Sequence, residues 1–164
     1  MKKLNKAIFL AISIFASLLC KGQTTIFKTD TISYLTLKSS NIAYPKTTIL
    51  YSKYTNDSIL TSQIIILQEN KIINSIKLPI ADIEVKNFSI SKIIETQNGF
   101  SISTNWGGGN NIYDTDFKFE ILGNFIYLTQ IANKHYGPNT EVITKNIDIN
   151  ILLNDFDIYS YLKL

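Results

Sequence analysis

The residues richest in chemistry fall between Trp106 and Tyr136. The run Trp106-Gly107-Gly108-Gly109-Asn110-Asn111 places the only tryptophan before three glycines and two amides. Glycines let a backbone take positive φ and approach a ligand closely. An aromatic ring, free backbone N–H groups and two side-chain amides suit a sugar or a small anion. These six residues form the candidate ligand-binding set. The plainer reading is a connection between strands, with Trp106 packed in the core.

Asp114, Asp116 and Glu120 alternate along one strand face. Acids in such a row suggest calcium ligation or an acid–base pair. An extended strand, however, spreads alternate residues by ~7 Å, too far for one ion. Lys118 also lies between the acids, as on a solvated hairpin face. His135 sits in Asn133-Lys134-His135-Tyr136-Gly137-Pro138, a loop by composition. A lone His can act as a general base. No Ser or Cys accompanies it in a nucleophile elbow. We therefore assign no catalytic residue, metal ligand or cofactor. One Cys and one His exclude a thiolate zinc site and a multi-histidine site.

The elements that must position these residues are strands. The chain has 164 residues, 45% of them hydrophobic and 18% charged, which fits one globular domain. Ile, Thr, Tyr and Phe recur in short alternating runs separated by Asn and Gly, the pattern of an all-β sandwich, barrel or curled sheet. The expected strands are 31–38, 48–54, 63–68, 72–78, 88–96, 100–106, 112–122, 125–132 and 141–147. Pro45, Pro79 and Pro138 fall between them, where a missing N–H harms no ladder.

Two hairpins can be registered from the sequence, and a third turn can be placed. Gly123-Asn124 reads as a two-residue turn pairing Leu122 with Phe125, glycine first. That register puts Phe117, Phe119 and Ile121 on the core face with Ile126, Leu128 and Gln130. Around Asn98, a three-residue loop with a left-handed Gly99 would pair Ile94 with Ile102 and Ile90 with Trp106. Glu69-Asn70-Lys71 is the third turn, pairing Ile64 with Ile76. Residues 151–162 read as one or two short helical turns after a last strand, capped by Asp155 or Asp157.

Residues 1–22 read as a signal peptide. Lys2, Lys3 and Lys6 precede Ala7–Leu19, an uncharged apolar run too short for a permanent bilayer span. Cleavage before Gln23 leaves a single β-rich domain over 23–164, in the periplasm or secreted. Cys20 offers a lipoprotein alternative, but Leu19 departs from the small residue a lipidation site prefers just before the cysteine. The formal charge of +3 belongs largely to this segment, since four of the 16 lysines precede residue 23. Twelve bases against 13 acids then remain, which speaks against nucleic acid as a partner.

The span Phe100–Leu128 holds Trp106-Gly107-Gly108-Gly109-Asn110, Phe117-Lys118-Phe119 and Phe125-Ile126-Tyr127-Leu128. It resembles a hairpin pattern of small exported β-rich bacterial proteins of uncharacterised function. The resemblance implies export and β structure, and no activity. The expected function is therefore an exported, non-catalytic binding or interaction protein with an envelope or extracellular partner. The alternative is a small-ligand or glycan-binding module using the Gly-rich run after Trp106. An envelope hydrolase stands third.

Overall fold

A computed structural model describes residues 28–37, 46–56, 59–137 and 142–162. The expected signal peptide, Cys20 and the cleavage site before Gln23 lie outside them. Among the described residues the fold is all-β, in two antiparallel sheets. The first holds β1 (Lys28–Thr36), β2 (Thr47–Asn56), β3 (Ile59–Gln68) and β4 (Lys71–Leu78) in sequence order. The second holds β5 (Ser89–Thr96), β6 (Gly99–Gly108), β7 (Asn111–Leu122), β8 (Phe125–Tyr136) and β9 (Val142–Leu152), again in order. Each sheet is a meander, and residues 79–88 carry the chain from one to the other.

Both sheets feed one core. Ile49, Ile64, Ile66 and Leu78 enter it from the first sheet, and Phe100, Phe117, Phe119 and Leu128 from the second. All eight are shielded from solvent. Burying a side chain of this size stabilises the fold by about 1.5–3 kcal/mol. Phe100 stacks on Phe119 across the β6–β7 pair, with ring centroids 4.9 Å apart.

Every expected strand is present, and the register shows where simple alternation misleads. The β7–β8 turn is as expected: Leu122 pairs with Phe125, and Gly123 takes φ +61 at the first central position. Farther out, a bulge at Thr129 puts Ile131, not Gln130, opposite Phe117. The polar side chain thus leaves the core and an apolar one replaces it. The β5–β6 turn differs from expectation. Thr96 pairs with Gly99 across a two-residue Gln97-Asn98 turn, and Ile93, not Ile94, faces Ile102. A bulge at Ser91 then returns Ile90 to the inner side, opposite Thr104. The β3–β4 turn is also two residues long, with Glu69 and Asn70 both left-handed at φ 49 and 67 as a type I′ turn requires. A bulge at Ile73 restores the expected pairing of Ile64 with Ile76. In all three hairpins, one extra residue inside a strand corrects the facing.

The last strand runs to Leu152, beyond the expected 147, and two 3₁₀ turns follow at Leu153–Asp155 and Ile158–Tyr161. Asp157 caps the second by accepting the Tyr159 N–H at 3.1 Å. This tail runs alongside β4. Asn74 donates to Asn154 Oδ1 at 2.7 Å, and the Tyr159 hydroxyl donates to Glu84 at 2.6 Å. Leu153, Ile158 and Leu162 complete the core, while Phe156 meets Phe117 and Phe119 edge-on.

Candidate functional site

The Gly-rich run is the tight end of the β6–β7 hairpin. Gly107 and Gly108 are strand residues, Gly109-Asn110 forms the two-residue turn, and Asn111 opens β7 opposite Gly108. The glycine at 107 has a mechanical reason. Its φ is +102, and a Cβ there would strike the Asn111 carbonyl oxygen. The connection between the sheets also docks at this position. Gly107 N–H donates to the Lys86 carbonyl at 2.8 Å, and Asn87 Nδ2 donates to the Gly107 carbonyl at 2.7 Å. Gly109, with φ +63 and open space around it, is free of such contacts.

Counting back from the turn sets Trp106 opposite Tyr113, and β8 sets His135 on the other side of Tyr113. The three rings stack in parallel across three strands. Trp106 lies 4.1 Å from Tyr113 at 11°, and Tyr113 lies 4.4 Å from His135 at 8°. Such offset aromatic pairs contribute about 0.5–1.5 kcal/mol beyond their burial. Trp106 is the buried end, 6% exposed, and its indole N–H points to Thr115 Oγ1 at 3.4 Å. Tyr113 and His135 are half-buried. His135 Nε2 lies 2.9 Å from Asn111 Oδ1, an imidazole donor to an amide oxygen. His135 is therefore a strand residue, not the loop residue its neighbours suggested. Its ring is fixed on one face by Tyr113 and at one edge by Asn111.

The acids occupy the opposite face of the same sheet. Asp114 accepts from Asn105 and, at 2.9 Å, from the Tyr136 hydroxyl. That bond raises the Tyr136 pKa above its ordinary value, since ionisation would set two negative charges together. Glu120 pairs with Lys118 at 3.1 Å, and Asp116 is exposed. Among the described residues no three His, Cys, Asp or Glu side chains gather to hold a metal ion. The acid row and His135 lie on different faces and do not converge.

The sequence reading singled out Trp106 and the glycines. It missed Tyr113 and the docking of Lys86 and Asn87. A signal for Tyr113 exists: a two-residue Gly109-Asn110 turn aligns Trp106 with Tyr113 by counting alone.

The chain matches no protein-family model, no curated protein and no solved structure. Function must be argued from its own geometry.

Proposed function

We propose that this is an exported binding or interaction protein that acts without turnover, and that its contact surface is the β6–β7 turn end of the second sheet. One observation carries the reading. Tyr113, His135 and Asn111 form a half-exposed shelf of two rings and an amide, fixed by strand pairing and mutual contacts. A shelf set before the partner arrives loses little freedom on binding, which favours affinity. Asp114 and Glu120 on one face and His135 on the other are each engaged in contacts of their own, an arrangement suited to rigidity rather than proton transfer. The export part rests on residues 1–22.

A crosslinking pull-down from the producing cell's envelope tests the reading. Wild-type protein should capture a discrete partner. Asn110→Glu, a change at an exposed turn position, should lose it at least about fivefold with unchanged thermal unfolding. Equal capture by the variant contradicts the assignment. So does a turnover that Asp114→Asn abolishes.

A second reading narrows the partner to a glycan or small ligand at the same end. Because Trp106 is buried beside Tyr113, a sugar would touch Tyr113, His135 and the amides of Asn110 and Asn111. Trp106 would then report binding through its stacked neighbour. Titration with a glycan panel should shift its emission, and a buried-type spectrum unmoved by every member counts against this reading.

A further inference from the structure

We propose that the β7–β8 hairpin tip is a membrane-surface contact, at which Leu122 and Phe125 enter the headgroup boundary of a bilayer. These two residues are the last pair before the turn and stand 56% and 57% exposed. They belong to the outer face of the second sheet, since Ile121 and Ile126 beside them point into the core. The tip projects: a Cβ added at Gly123 would meet nothing within 4 Å. The Tyr127 ring lies 6.5 Å from that of Phe125, half-buried and one row farther from the turn. Two apolar residues at a tip with a tyrosine behind them match the depth profile of a membrane interface, where rings with a polar end sit at headgroup level.

Area and charge select the occupant. Two half-exposed side chains offer on the order of 200 Å² of apolar surface, against the ~800 Å² per partner that a stable protein interface takes. A convex tip also leaves a second copy nothing concave to meet. A bilayer needs neither area nor a matching groove. The tip residues Leu122, Gly123, Asn124 and Phe125 carry no charge, and Glu120 on the same strand face is ion-paired with Lys118 at 3.1 Å. The tip is thus nearly neutral and suits zwitterionic lipid, with weak dependence on salt. This surface lies at the far end of the sheet from Asn110 and does not rest on the partner reading above.

The test uses phosphatidylcholine vesicles, with and without phosphatidylglycerol. Wild-type protein should co-sediment with both. Leu122→Ser/Phe125→Ser should lower the bound fraction at least about tenfold, as expected when two apolar anchors are removed. Phe125→Trp should give an emission that moves to the blue with vesicles, read against the wild-type protein, whose Trp106 is buried. No bound fraction, a bound fraction the double variant keeps, or binding only to anionic vesicles overturns the proposal. So does a dimer that the double variant dissolves.

Discussion

The two ends of the second sheet are built from the same strands and present opposite surfaces. At the β6–β7 end, three rings stack across β6, β7 and β8, and amides, a carboxylate and a connecting segment are tied together by hydrogen bonds. At the β7–β8 end, Leu122 and Phe125 stand more than half exposed on either side of the turn. The difference follows from what packs on each hairpin, since the turn glycines Gly109 and Gly123 both stand in open space. In the strand behind the first turn, Gly107 hydrogen-bonds to Lys86 and Asn87 and leaves no room for a Cβ beside the Asn111 carbonyl. On the readings proposed above, the first end would hold a partner of fixed shape and the second would enter a soft one. Between them lies a core common to both.

The largest expected effect tests that common core. Phe117→Ala should cost about 3–5 kcal/mol, because Phe117 is fully buried and touches Phe156 and Tyr161 as well as its own sheet. Denaturant unfolding followed by Trp106 emission and by far-UV circular dichroism should show both probes shifting together. Separate transitions would mean that the two ends do not share one cooperative unit.

A pair of glycine substitutions sharpens the contrast between the ends. Both sites have positive φ, so alanine is strained at each by about 1 kcal/mol. Only Gly107→Ala adds a collision with the Asn111 carbonyl. Gly107→Ala should therefore cost at least about twice as much as Gly123→Ala. Equal thermal destabilisation would break the claim that the chain is braced at Gly107 and free at Gly123.

The smallest effect concerns the connection that docks on Gly107. Glu84 accepts from the Tyr159 hydroxyl and from the Ile80 N–H at 2.9 Å, with Lys77 3.7 Å away. The Tyr159 hydrogen bond, more than the Ile80 one, holds the Glu84 carboxyl below its ordinary pKa. Burial first, and Glu84 second, push the Tyr159 phenol up. A depressed carboxyl stabilises the fold above its unfolded pKa and loses that contribution as pH falls through the folded value. A raised phenol acts the other way, contributing below its unfolded pKa near 10 and losing it as pH rises toward the folded value. Tyr159→Phe should lower stability by under about 1 kcal/mol at neutral pH, given how exposed the pair is. Its difference from wild type should shrink as pH falls below the ordinary carboxylate range and Glu84 takes up its proton. A gap that persists after Glu84 is protonated would assign the effect to packing instead.

Much of this architecture can be read from alternation and turn residues. The strands, the Gly123 turn and the Asp157 cap follow from local chemistry. The bulges at Ile73, Ser91 and Thr129 do not, because a bulge answers to which side chains meet across the core. Ile94 and Ile93 are equally apolar in sequence, and only the partner strand decides which turns inward. The site was half legible for the same reason. The glycines stand out by composition, but Tyr113 and His135 join Trp106 through pairing between strands. His135 also sits among residues that favour loops, yet β8 continues through it to Tyr136.

The contrast between the ends is tested most directly by position-resolved photocrosslinking in the producing cell's envelope. A photoreactive residue replaces Asn110, Asn124 or, as a control midway along the edge strand β9, Asp148. The account predicts a discrete partner adduct from position 110, lipid adducts from position 124 and neither from position 148. The same adducts from all three positions, or a partner adduct from 124 and lipid from 110, would contradict it.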